Sequence, residues 1–241
     1  MTSLELYELS PRATRAAEVE RSASVVAGLD EGPRRMLNVV VAALGLVIAA
    51  PVMLVIAVLV KLTSPGPVFY RQPRVGVNRR GPLTPAGNHR RAIDMGGQPF
   101  TIYKFRTMTA SSSSQNRAVW ASQNDARITP IGRVLRKFRL DELPQLFNVL
   151  MGDMNVVGPR PEQPTIFQNL RRQIPRYGDR QLVRPGITGW AQINHHYDET
   201  IDDVRKKLSF DMEYIGRQSL LEDLKIMLQT APAVVLRKGG W

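Results

Sequence analysis

Residues 36–60 read MLNVVVAALGLVIAAPVMLVIAVLV. These are about 25 positions without a charged side chain, more than the roughly 20 apolar residues a helix needs to cross a bilayer. Membrane association follows from this run, and the rest of the chain must fold beside it. Pro51 lies inside the run, where a proline removes a helical hydrogen bond and crowds the preceding turn, so a bend is expected near Ala50. Two arrangements satisfy that bend. One is a kinked spanning helix, which membranes tolerate; the other is a re-entrant hairpin whose halves are each too short to cross about 30 Å of hydrocarbon. Arg34 and Arg35 precede the run, and Lys61, Arg71 and Arg74 follow it. Cations on both flanks place both in the cytosol by the positive-inside rule, which favours the hairpin. The expected re-entrant membrane helix is 34–62, broken at Pro51.

Residues 1–33 mix Glu5, Glu8, Glu18 and Glu20 with Arg12, Arg15 and Arg21. They have neither the basic start nor the early apolar core of a secretory signal, and read as a mobile tail, helical in part. Residues 63–241 are long enough for one globular domain with a core of its own. With 33 Lys and Arg against 21 Asp and Glu, the formal charge is +12, suited to anionic lipid headgroups, phosphate-bearing substrates or nucleic acid. The absence of cysteine excludes disulfides, thiolate zinc sites and a cysteine nucleophile and suits a reducing compartment. No repeat or heptad pattern is present.

After the membrane run, SPGPVFYRQPRVG and PFTIYKFRTM each place β-formers between turn residues, predicting a small hairpin near the membrane. The stretch from Asn78 to Gly97 and the serines 111–114 read as loops. Alternation in the second strand puts Lys104 and Arg106 on one face, a candidate phosphate clamp whose bland alternative is an edge strand made soluble by its charges. Thr129 and Pro130 open a helix with Ile131, Val134, Leu135 and Phe138 on one face and Arg133, Arg136 and Lys137 on the other. Asp141 and Glu142 come next, in DELPQLFNVLMGDM. Because Pro144 belongs in a first turn and Gly152 at a helix end, Asp141 is expected at or beside an N-cap, where free amides and the helix dipole hold a carboxylate ionised. Capping alone explains an isolated Asp. Two adjacent carboxylates at an irregular helix mouth allow more: one can attack phosphorus while the other holds a hard cation such as Mg²⁺ through oxygen. A diphosphate would complete the metal's ligands and account for the arginines. Gly158-Pro159-Arg160-Pro161 presents one guanidinium from a stiff turn. Arg184-Pro185-Gly186 repeats the device ahead of Trp190 and Gln192, a stacking surface and an amide suited to a base, unless Trp190 is simply core.

KFRTM at 104–108, LDELPQLFNVLMGDM at 140–154, GPRPE at 158–162 and RPGITGWAQIN at 184–194 together resemble the bacterial sugar transferases, the polyprenol-phosphate hexose-1-phosphate transferases. The resemblance runs from about Pro33 to the C-terminal helices and is to the short members, without the extra spanning helices of the long ones. It implies a monotopic, mainly α enzyme with a small β-hairpin (α+β), on the cytosolic face of the bacterial inner membrane. Its activity would be transfer of a sugar phosphate from a UDP-sugar to polyprenol (undecaprenyl) phosphate, with release of UMP, at the start of exopolysaccharide or other surface-glycan assembly. On this likeness Asp141 is the nucleophile of a phosphosugar-aspartyl intermediate, Glu142 binds Mg²⁺, and Arg136 and Arg160 hold phosphate. Lys104, Arg106, Arg184 and Gln192 complete the expected substrate contacts. Two departures stand out: Ala50 occupies a position where the short members carry Ser, and the 78–97 loop is longer than usual.

Toward the C-terminus, Val204, Leu208, Ile215, Leu220, Leu221, Leu224 and Leu228 recur at helical spacing beside Arg205, Lys206 and Lys207, predicting amphipathic helices shared between the interface and the domain core. Anionic membrane lipids are expected partners, and a homo-oligomer is left open. The rival reading is a non-catalytic basic membrane adaptor of glycan-assembly machinery, which leaves the paired carboxylates without a purpose. Nucleic acid is not expected, since the cations are dispersed and no recognition motif is present. No motif encodes the hexose, because sugar choice rests on a few hydroxyl contacts.

Overall fold

The structure is a computed structural model; it describes residues 11–78, 96–109, 125–195 and 200–235, without the side chains of 11–30, 231 and 233–235. Most of the expected 78–97 loop and the serine run 111–114 lie outside the described residues. The apolar run belongs to α1, a single helix Pro11–Thr63 that continues through both Pro33 and Pro51. Residues 11–33, read as a tail with some helix in it, form the first part of that helix. Its stretch Glu31–Thr63 is long and apolar enough to cross a membrane, and only 11% of the most apolar window is buried within the protein. A core helix of that composition would be mostly covered.

One face of α1 nevertheless packs along the domain over its whole apolar length. Near its start, Arg34 donates from Nε to Asp223 at 2.9 Å, and Asn38 accepts from the Val156 amide at 2.5 Å. Ala42 is fully buried, and Gly45 has the Leu146 side chain directly against it. Near its end, Ile56 and Val60 are buried with Phe105 and Leu135. The opposite face leaves Met36, Leu44, Val47, Ile48, Leu54, Val55 and Leu62 exposed.

The predicted hairpin is β1 (Phe69–Val75) antiparallel to β2 (Pro99–Phe105), with Phe69 opposite Phe105 and Val75 opposite Pro99. Asn148 accepts from the Tyr103 amide and donates to the Thr101 carbonyl, so Thr101 turns its backbone away from β1. Pro73, opposite Thr101, thus occupies a non-hydrogen-bonded pair where its missing N–H costs nothing.

The helix predicted after Thr129 is α2 (Pro130–Lys137), with the Thr129 hydroxyl accepting from the Gly132 amide at 3.0 Å. The next helix differs from expectation. A 3₁₀ turn, Leu140–Glu142, carries the carboxylates, and α3 (Gln145–Met151) begins only after Pro144. Arg139, in the left-handed region at φ 53°, separates α2 from this turn. Gly152 ends α3 in the expected left-handed conformation.

A second sheet, parallel and unanticipated, joins β3 (Asn155–Val157) to β4 (Gly186–Thr188). Between them lie α4 (Pro164–Gln173) and a 3₁₀ segment, Tyr177–Leu182. After β4 come α5 (Trp190–Asn194), α6 (Ile201–Arg217) and α7 (Leu220–Val235). α6 opens with a capping box in which Thr200 and Asp203 satisfy each other's backbone amides. The main core gathers Phe100, Ile102, Val149, Met154, Val157, Tyr214 and Ile226 around the β3–β4 pair. As expected of mixed amphipathic helices, α7 buries Ile226 while exposing Leu221 and Leu228.

Candidate active site

The 3₁₀ turn pushes two acids inward: Asp141 is 7% exposed and Glu142 6%. Their surroundings differ. Glu142 Oε1 accepts from Lys104 Nζ at 2.8 Å and from Arg160 Nη2 at 2.7 Å. Its Oε2 has only longer approaches, 3.4 Å from Arg160 and 3.8 Å from Arg139. Among the described residues, Asp141 has no hydrogen-bonding or ion-pair partner for its carboxylate. Burial would raise both acids, but at Glu142 the charges of Arg160 and Lys104 prevail and hold it well below the usual range. Asp141 is pushed up, first by burial and then by the negative charge of Glu142, against the opposing pull of Lys104, Arg136 and Arg160. The site thus contains one firmly ionised, pinned carboxylate and one less stabilised, unpinned carboxylate, the second being the more basic and nucleophilic.

Asp141 was expected at an N-cap, with its charge stabilised by helix amides. The left-handed Arg139 and Pro144 shift the α-helix start past it, so burial governs its protonation and raises rather than lowers its pKa.

The cations arrive from separate elements. Phe100, Ile102 and Lys104 share the inward face of β2, which carries the Lys104 ammonium into the domain beside Glu142. Burial lowers its pKa, opposed chiefly by Glu142. Arg160 stands on the proline-flanked turn and is held still more firmly charged, mainly by Glu142. That turn is itself braced: Arg180 donates to the Arg160 carbonyl at 3.0 Å and to Asp211 at 2.7 Å, and Arg74 donates to the Pro161 carbonyl at 3.1 Å. Glu162, next in the turn, takes Lys207 at 3.0 Å. Burial pushes Glu162 up, but Lys207, Arg180 and Arg74 outweigh it and bring it to about 2.

Three predicted residues therefore meet directly, Glu142, Lys104 and Arg160, with Asp141 beside them and within reach of their charges. Arg136, on the last turn of α2, is near enough for its charge to act on Asp141. The other three lie elsewhere. The Arg106 N–H still bonds the Val68 carbonyl at 2.9 Å, but the Arg106 side chain does not join Lys104 at Glu142. Its Nη2 instead donates to the Ser64 carbonyl at 2.6 Å and the Ser64 hydroxyl at 2.9 Å, fastening the end of α1. Arg184 pairs with Glu31 at 2.5 Å. Gln192 donates within its own turn to the Ile187 carbonyl at 2.8 Å, and Trp190 lies under the Arg217 guanidinium at 4.2 Å while donating to Glu213. Sequence reasoning passed over Arg139, Asn148 and Arg180. Arg139 alone carried a signal, as the cation adjoining the acidic pair.

Among the described residues no group of three or more His, Asp or Glu is gathered to cage an ion. A cation held by one or two carboxylates and completed by substrate phosphates would have to be taken at Glu142 Oε2, whose nearest cationic groups stand at 3.4 and 3.8 Å.

A long apolar helix with one face exposed thus stands beside a buried acidic pair ringed by cations. The chain belongs to the bacterial sugar transferase family, which it matches over residues 30–237. It is similar to an Aeromonas hydrophila protein named UDP-N-acetylgalactosamine-undecaprenyl-phosphate N-acetylgalactosaminephosphotransferase, 43% identical over 86% of this chain and 44% of the relative. A UDP-glucose:undecaprenyl-phosphate glucose-1-phosphate transferase of Caulobacter vibrioides is 40% identical over 84% of this chain and 69% of its own length. The sugar transferase EpsL of Bacillus subtilis, uncharacterized, is 35% identical over 86% and 89%. The chain spans less than half of the Aeromonas relative's length.

Proposed function

We propose that the protein transfers a hexose 1-phosphate from a UDP-sugar to undecaprenyl phosphate in two steps, as an opening reaction of exopolysaccharide or other surface-glycan assembly. The observation that carries this reading is the split dyad, with Asp141 buried and unpinned beside a Glu142 fixed by Lys104 and Arg160. An Asp141 carboxylate oxygen attacks the phosphorus nearest the sugar; the bond to the bridging oxygen breaks and UMP leaves with both electrons of that bond. A phosphate oxygen of undecaprenyl phosphate then attacks the same phosphorus, expelling the carboxylate and yielding the lipid diphosphate sugar. Lys104, Arg136 and Arg160 offset the charge gathering on the phosphoryl oxygens. Glu142 would hold Mg²⁺, which supplies further charge neutralisation when bound.

The reading includes a re-entrant seating on the cytosolic face of the inner membrane. Its support is that both ends of the apolar helix meet the same domain: Arg34 at Asp223 near one end, Ser64 at Arg106 near the other. A domain on one side of a bilayer reaches both ends only if they lie on that side. The exposed Val134 and Phe138 of α2, Phe147 and Met151 of α3, and Leu221 and Leu228 of α7 add apolar surface of the kind that lies in lipid. Seated this way, the dyad meets a lipid phosphate at headgroup depth, and proximity contributes much of the rate.

The test is UMP release by purified protein with Mg²⁺ and a panel of UDP-sugars, with and without undecaprenyl phosphate. Asp141→Asn is expected to abolish release under both conditions, and rapidly quenched wild type is expected to carry the sugar phosphate on Asp141. Undiminished release by the variant would overturn the nucleophile assignment, and an inert wild type with every donor would favour the adaptor reading.

A further inference from the structure

We propose a second anion site, remote from the dyad, that takes the phosphate of an anionic phospholipid headgroup. It is a cavity of about 370 Å³ whose lining includes Glu31, Arg34, Arg35, Asn155, Arg184 and Gln218. None of the cations around Asp141 and Glu142 is among its lining residues. The site rests on the membrane association of α1 and not on the reaction at the dyad.

Three guanidinium groups converge here in different states. Arg34 is spent on Asp223, Gln218 and Tyr214, at 2.9, 2.7 and 2.9 Å. Arg35 donates to the Val149 and Leu150 carbonyls, at 2.6 and 2.8 Å, which leaves its charge uncompensated by any carboxylate among the described residues. Arg184 donates from Nη1 to Glu31, an acid whose side chain is 60% exposed. Its Nε is buried with no partner, as is Nε2 of Gln218, a residue only 2% exposed. Buried N–H groups without acceptors are costly. Two of them on residues lining one net-positive cavity, with a loosely held carboxylate already at its edge, describe a place for an oxyanion. Glu31 occupies the part a phosphate would take, and its release to solvent makes the cavity more positive.

Position selects a lipid over a free phosphate. The exposed apolar face of α1 starts immediately after Arg35, with Met36 68% and Val40 48% exposed. Cations at the edge of a membrane-embedded apolar surface lie among headgroups. A phosphate seated here would have its acyl chains along that face.

The experiment is native mass spectrometry and thermal unfolding of the full-length detergent-purified protein, titrated with phosphatidylglycerol, phosphatidylcholine or inorganic phosphate. One saturable phosphatidylglycerol adduct that raises the unfolding temperature is expected, with phosphatidylcholine and inorganic phosphate much weaker. Arg184→Gln is expected to weaken retention roughly tenfold, the loss of one charge-assisted hydrogen bond. Glu31→Gln is expected to strengthen it, a gain that a purely structural ion pair would not give. Equal adducts of both lipids, unaltered in either variant, would overturn the site. Equal stabilisation by inorganic phosphate alone would overturn the lipid assignment. UMP release measured on the same samples reports on the dyad separately, so either reading can fail without the other.

Discussion

At the residue scale, the two acids have opposite consequences for stability. Asp141 has a folded-state pKa above its unfolded value. The stability it contributes is full below the unfolded value and is lost as pH rises through the folded one, so at neutral pH its ionised form opposes folding. Asp141→Asn is therefore expected to unfold at a higher temperature than wild type in detergent at neutral pH, while losing UMP release. Glu142 has the reverse sign: its contribution is present above the unfolded carboxylate value and vanishes as pH falls through its depressed folded one. Arg160→Gln removes a positive charge that lowers the pKa of Asp141, so the acid limb of the pH–rate profile is expected to move to higher pH; a limb that stays in place would detach Arg160 from the nucleophile. The acidic pair and the stiff Arg160 turn were legible because adjacency and proline are local features. Burial is not, so an N-cap reading of Asp141 gave the wrong direction for its titration.

At the element scale, the hairpin and α2 were legible for the same local reason: turn residues flank β-formers, and Thr129 and Pro130 mark a helix start. The β3–β4 sheet was not. Its strands are three residues each, paired across α4 and the following 3₁₀ segment, too short for an alternation signal and dependent on a long-range approach. Glycine makes that approach possible: a Cβ on Gly186 would meet the Gly158 nitrogen at 2.1 Å and the Val157 carbonyl carbon at 2.6 Å. Since backbone cannot yield as a side-chain tip does, Gly186→Ala is expected to cost about 3 kcal/mol or more, read as a fall in unfolding temperature or a loss of folded protein. Arg106 illustrates the other limit of pattern reading. Its backbone keeps the ladder bond to Val68, but the side chain serves the end of α1 instead, a long-range partner that alternation does not encode.

At the scale of the whole molecule, a buried ion pair connects α6 to the candidate site. Arg180 and Asp211 are 1% and 2% exposed, and Arg180 also holds the Arg160 carbonyl. Asp211→Ala removes the closer of two acids beside a buried guanidinium, leaving Glu162 at 3.5 Å, and a loss of about 3 kcal/mol is expected. Arg180→Met with Asp211→Leu is expected to recover most of that stability but not the rate of UMP release, because the brace on the Arg160 turn stays absent. Recovery of both would assign the pair to stability alone. The absence of native cysteine permits a clean test of membrane seating. Single cysteines at Glu31 and Thr63 should both resist an impermeant maleimide in intact cells and both react after the inner membrane is opened, whereas a spanning helix would separate them. One further consequence follows from Asn148. Its amide satisfies the same donor and acceptor on β2 that a third strand would, so the side chain brings lateral growth of the ribbon to a stop. Without that amide, the Tyr103 N–H and the Thr101 carbonyl would be orphaned beneath α3, a desolvation penalty borne by folding.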